Sequence, residues 1–138
     1  TEATLAIYNV DTDLVTQKLN IVPTSIQKIG VPRIMPSGAK RIGTMNTWLF
    51  SSDDCGMTSK DLRIHLTWLL DKIKPNESQL LEIQQVSGVK MAIRCRWESK
   101  YGDGGPTLWP EQMERMAKLN LEWTCSFSHY GSGLQIEE

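Results

Sequence analysis

Two late segments alternate strictly between apolar and polar residues. In VKMAIRCRW, Val89, Met91, Ile93, Cys95 and Trp97 are apolar, and Lys90, Ala92, Arg94 and Arg96 stand between them. In LEWTCSFS, Leu121, Trp123, Cys125 and Phe127 alternate with Glu122, Thr124, Ser126 and Ser128. Period two sends successive side chains to opposite faces, so each segment predicts a strand with one face on a core and one in water. That pattern suits an antiparallel sheet covered on one side better than a parallel sheet buried on both. Weaker alternation predicts two more strands, at Thr4 to Val10 and at Thr44 to Ser52.

Between these segments the period changes to that of helices. Leu62, Leu66, Leu69, Leu70 and Ile73 form one apolar stripe, preceded by Thr58 and Asp61 in a capping-box spacing. Lys74-Pro75 ends that helix, because a residue before proline resists the α region. A second helix is predicted from Glu77 to Ser87, closed by Gly88, and a third from Pro110 to Leu119. A short helix from Thr12 to Leu19 follows Asp11 as N-cap. VDTDLVTQKLNI and LWPEQMERMAKLNL each follow a strand, open a helix and end in Leu-Asn-aliphatic. Asn20 and Asn120 suit the left-handed residue after a helix, so a strand–helix–strand duplication and convergent capping both explain the likeness.

Val22 to Gly43 breaks the regular pattern. It carries Pro23, Pro32, Pro36, Gly30, Gly38 and Gly43 among Lys28, Arg33, Lys40 and Arg41, and predicts a long basic connection. Connections of this length are often functional, although a merely solvated excursion is the simpler reading.

Composition narrows the function classes. Fifteen Lys and Arg against sixteen Asp and Glu leave a formal charge of −1, with no global drive toward nucleic acid or anionic membrane. No apolar run approaches the roughly 18 residues of a membrane span. The first residues, TEATLAIYNV, show no basic-then-apolar signal pattern, and without an initiator Met a processed start stays open. Cys55, Cys95 and Cys125 form no CxxC pair, and three thiols cannot all pair within one chain. They point to a reducing compartment, the cytoplasm, with a Cys95–Cys125 disulfide as the lesser alternative.

Several short motifs together resemble one family. Leu19-Asn20-Ile21-Val22-Pro23-Thr24 resembles the L-G-I-x-P-T signature of the bacterial family known as domain of unknown function 4279. The early strand and acidic helix start at Ile7 to Asp13 are similar, as are the tryptophan strand Thr47 to Ser52 and the amphipathic helix Leu62 to Ile73. Tyr101-Gly102-Asp103-Gly104-Gly105 and Trp109-Pro110-Glu111 resemble the family's glycine loop and helix start. Asn20 stands where that family has Gly, and Trp109 where it has a capping Ser. The resemblance implies a compact α+β domain and supplies no established reaction. Members of such small families sometimes occur as immunity proteins of toxin systems, which is an analogy at the level of fold.

The motifs that carry chemistry are thin. WESKYGDGGPTLWPEQM runs strand, glycines, helix, as phosphate loops do. But Asp103 adds negative charge, Pro106 and Pro110 lack donors, Lys100 is the nearby cation and no GK[ST] follows. The loop predicts a turn, and Tyr101 and Trp109 at its ends form an aromatic anchor if they face outward. Trp109 folded inward as a hydrophobic staple is the competing expectation. His65 and His129 are the two histidines and no GxSxG elbow occurs, so nucleophilic catalysis has only weak sequence support. His65 reads as a boundary residue packing near Trp68. No spacing offers converging metal ligands, and no cofactor is expected. Asp53-Asp54 and Glu137-Glu138 read as solvated carboxylates. Lys90, Arg94 and Arg96 make one strand face basic, but Trp97 and Trp123 alternate inward, leaving no stacking platform for nucleic acid. Glu122 is expected across from one of the arginines.

The expected architecture is a single α+β domain over residues 1–138, a mostly antiparallel sheet with helices on one face and a partly open, basic opposite face. The expected function is non-catalytic protein interaction, in its most concrete form an immunity protein that covers a toxin's active surface. Tyr101, Trp109, Arg33, Lys40 and Arg41 are the contact candidates. The alternatives are a small-molecule or anion-binding domain using Arg94 and Arg96 or the glycine loop, and an enzyme of a type these motifs do not reveal.

Overall fold

The alternating apolar residues of the first and sixth strands meet on one face of a sheet. In the computed structural model, which describes residues 1–100 and 104–129, β1 (Glu2–Tyr8) pairs antiparallel with β6 (Lys90–Ser99). Leu5 lies opposite Ile93, Ile7 opposite Met91 and Ala3 opposite Cys95, and all six are buried. On its other edge β1 pairs antiparallel with β5 (Thr47–Ser51), which sets Trp48 beside Ile7 and Phe50 beside Leu5 on that same face. A short β2 (Ser25–Gln27) closes one edge, and β7 (Glu122–His129) the other. The order is β2-β5-β1-β6-β7. Its first four strands, with their connecting helices, follow the split βαβ arrangement of ferredoxin-like domains.

Helices cover the apolar face. They are α1 (Thr12–Leu19), α2 (Leu62–Ile73), α3 (Glu77–Gln84) and α4 (Pro110–Lys118). Val15 and Leu19 of α1, the Leu62–Ile73 stripe of α2, Leu80 and Ile83 of α3, and Met116 of α4 join one hydrophobic cluster with the strands. Each fully buried large aliphatic contributes on the order of 1.5–3 kcal/mol, so this cluster dominates the fold's stability. The described residues thus build an α+β architecture around one core.

The caps explain where helices begin and end. Asp11 Oδ1 accepts from the backbone N–H groups of Asp13 and Leu14, opening α1. Asp61, rather than Thr58, caps α2, its carboxylate accepting from Arg63 N–H. Asn20 and Asn120, as expected, sit in the left-handed region at φ 52° and 53°. α3 stops at Gln84, short of the expected Ser87, and Gly88 (φ 84°) turns the chain into β6.

Two features depart from the sequence reading. β6 and β7 are parallel, because α4 crosses back over the sheet between them and a helical crossover returns the chain in the same direction. The long basic connection is not irregular throughout. Its middle forms a separate two-stranded ribbon, β3 (Pro32–Ile34) with β4 (Lys40–Ile42).

Candidate functional site

The ribbon stands apart from the core. Arg33 lies directly opposite Arg41, Pro32 opposite Ile42 and Ile34 opposite Lys40. Alternation therefore divides the arm into one face with both arginines and another with Pro32, Ile34, Ile42 and Lys40. Ile34 is 71% exposed and Ile42 65%, and Arg33, Lys40 and Arg41 are exposed as well. Among the described residues none of these three cations forms an ion pair. The arm's base is fixed. Gly30 N–H donates to Gly43 O, Gly43 N–H to Val31 O, and Ile29 N–H to Asn46 Oδ1. Gly43 cannot carry a side chain, since an added Cβ would collide with the carbonyl oxygen of Lys28. At the tip, Met35 and Gly38 close the turn through hydrogen bonds of 2.7 and 2.8 Å.

A second surface lies on the uncovered side of the main sheet. Arg94 and Arg96 both face it, with Thr4 and Glu2 opposite them on β1 and Thr124 and Ser126 opposite them on β7. Glu122 pairs with Ala92, so it neutralises neither arginine, contrary to the sequence expectation. Arg94 Nη1 donates to the Tyr8 hydroxyl at 2.8 Å, across the face.

The aromatic anchor takes a third form, neither staple nor free tip. Trp109 is 41% exposed and lies under the Arg63 guanidinium, 5.0 Å from its ring centre, while Arg63 also pairs with Asp61 at 2.8 Å. Trp109 offers no acceptor to the helix start, but Gln112 Oε1 accepts from Trp109 N–H. Gln112 is itself buried, and its Nε2 donates to Arg63 O and Thr67 Oγ1, fastening α4 to α2. Tyr101 lies outside the described residues.

His65, Ser52 and Cys95 are buried. His65 is fully buried, not at a boundary. Its Nε2 meets the Ser59 carbonyl and its Nδ1 meets Ser52 Oγ, both at 2.7 Å. The carbonyl can only accept, so in the neutral ring Nε2 carries the proton and Nδ1 accepts from Ser52. Ser52 Oγ in turn accepts from Ala3 N–H, and with no solvent access the serine cannot reach a substrate. Burial pushes the Cys95 thiol up to about 12, so it supplies no thiolate near neutrality. Among the described residues no three His, Cys, Asp or Glu side chains converge to hold a metal ion, and no helix is long and apolar enough to cross a membrane.

A profile of the family described as "Domain of unknown function (DUF4279)" matches residues 1–130. The chain belongs to this family. No curated protein and no solved structure matches it.

The geometry explains the DUF4279 signature in structural terms. In Leu19-Asn20-Ile21-Val22-Pro23-Thr24, Leu19 is core and Asn20 terminates α1. Thr24 then stitches the turn to β5, its N–H donating to Leu49 O and its Oγ1 accepting from Ser51 N–H. The tryptophan strand buries Trp48 completely, with its indole N–H on Thr16 Oγ1 of α1. Gly104 of the glycine loop takes φ 81°, as a turn requires. Those family motifs that fall on described residues thus build the scaffold, and the arm's exposed cations, Arg33, Lys40 and Arg41, lie outside them. Sequence reasoning missed Gln112 and His65 as buried polar hubs. For Gln112, the Gln three residues after the cap position was the available signal.

Proposed function

We propose that this DUF4279 domain is a non-catalytic protein-interaction module that grips an acidic partner with its β3–β4 arm. The observation that carries the reading is the arm itself, with two opposed arginines on one face and exposed isoleucines on the other. An uncovered two-stranded ribbon is marginal in water, and like charges directly opposite each other weaken it further. An arm so built gains nothing for the core, and an acidic, partly apolar partner surface would relieve both costs. In such a contact the charges steer association while the buried aliphatics hold the complex. The most concrete form is an immunity protein that covers a toxin's active surface. The three free thiols support a reducing compartment such as the cytoplasm as its place of work.

Cross-linking in native-host extract, compared between parent and R33E/R41E, tests this. One stoichiometric protein with an acidic surface, bound by the parent and lost from the variant at unchanged melting temperature, is the expected result. An identical set of partners for both proteins would remove the arm from the interaction. A toxin gene beside this one, and loss of protection in cells making the arm variant, would support the immunity form.

A further inference from the structure

The uncovered side of the main sheet holds a concavity of about 460 Å³, within the range of small-ligand sites. Arg94 and Arg96 lie two residues apart on its floor, so their Cα atoms are about 6.6–6.8 Å apart. Thr4, Thr124 and Ser126 add hydroxyl-bearing side chains around them, and Glu2 sits at one side. From this juxtaposition we infer a binding site for a free amino-carboxylate of amino-acid size, its carboxylate on the two arginines and its ammonium toward Glu2.

Three observations support that choice. Arg96 lines the concavity, and among the described residues its buried Nε meets no acceptor, a cost that turning the guanidinium edge onto a carboxylate through paired N–H donors would relieve. Arg94 is steadied by the Tyr8 hydroxyl through a single terminal nitrogen, which leaves its other donors for a ligand. Glu2 is level with Arg96 in the register, but the two form no ion pair, and among the described residues the Glu2 carboxylate meets only Ser51 Oγ, at 3.5 Å. The site thus holds two fixed positive charges and one fixed negative charge, kept apart. A dianion such as phosphate would satisfy the arginines and be repelled by Glu2. A molecule bearing one carboxylate and one ammonium satisfies all three. The arm is a separate sheet, so this site stands or falls independently of the partner-binding reading.

The test is calorimetric titration and thermal shift with each of the twenty common amino acids, succinate and inorganic phosphate. At least one amino acid is expected to bind in the millimolar range or tighter. R96Q should weaken it by about tenfold or more, the loss of one or two charge-assisted hydrogen bonds. R96K, which keeps the charge but not the fork, should fall between. E2Q should weaken the amino acid and leave succinate unchanged or improved. Amide shifts confined to the β1, β6 and β7 residues around Arg94 and Arg96 would fix the location even where a variant loses stability. Absence of binding by all twenty, survival of binding in R94Q/R96Q, or tighter binding of phosphate or succinate than of any amino acid would overturn the assignment.

Discussion

From Lys90 to Ser99 a single strand serves two unlike environments. Met91, Ile93 and Cys95 lie buried beneath the helices, while Arg94 and Arg96 look out from the uncovered side. The neighbouring β1 does the same, with Leu5 and Ile7 inside and Thr4 and Glu2 outside. Residues one position apart therefore answer to different physics. The covered face is held by packing, where a missing methylene is felt. The uncovered face carries Arg94 and Arg96, and the proposed amino-carboxylate site requires that the fold not depend on their charge.

The sharpest way to break this contrast is a pair of adjacent substitutions. Ile93→Ala removes a fully buried side chain from the centre of the cluster and should cost about 2–5 kcal/mol. Arg94→Gln, next door, should change stability by about 0.5 kcal/mol or less, since it gives up one exposed hydrogen bond to Tyr8. Urea unfolding of both variants decides it. Comparable losses would mean that the open side is structural and that its arginines are not available for a ligand.

Polar groups on the covered side should behave as core. Ser52→Ala strands both the Ala3 N–H and His65 Nδ1 in a dry site, and should cost about 1–3 kcal/mol. Partner binding through the arm should be untouched, because Ser52 and His65 are buried in the core and the β3–β4 ribbon is a separate sheet. A denaturation midpoint equal to the parent's would show that water replaces the hydroxyl, and would weaken the claim that this serine–histidine pair is sealed.

Much of this division was legible in the residues. Alternation in VKMAIRCRW separated the inward Met91, Ile93 and Cys95 of β6 from the outward Lys90, Arg94 and Arg96, and Asn20 and Asn120 marked two helix ends from their tolerance of positive φ. The direction of β7 was not legible, because alternation reports which faces are covered and not which way the partner runs. An edge strand beside a crossover helix looks the same as a hairpin strand by that signal. Nor was the β3–β4 ribbon, whose pairs of three residues are too short for a period and hide among prolines and glycines. Of the candidate binding residues, Arg94 and Arg96 fall together on the uncovered face of the main sheet, while the β3–β4 arm carries Arg33 and Arg41 on one face and Lys40 on the other. Trp109 is engaged elsewhere, by Arg63. The sequence neighbours of Trp109 do not include Arg63, so only the packing of α4 on α2 could bring them together.

A smaller effect than at Ser52 is expected at the partly exposed rim of the helical layer, where Asp61 caps α2 and pairs with Arg63. The hydrogen bond from the Arg63 side chain holds the Asp61 carboxyl below the ordinary aspartate range. A depressed folded-state value means that the charged carboxylate favours folding. Its contribution is complete above the unfolded aspartate value of about 3.9 and is lost as pH falls through the lower, folded one. The pair is half-exposed, so the amount is only about 0.2–1 kcal/mol. Asp61→Asn isolates the charge, because asparagine still caps a helix. Below about pH 4 the parent should lose stability more steeply than Asp61→Asn, and above that the variant should be the less stable of the two. Parallel stability–pH curves would show that the rim pair is solvated, leaving packing of α4 on α2 as what holds Trp109 against Arg63.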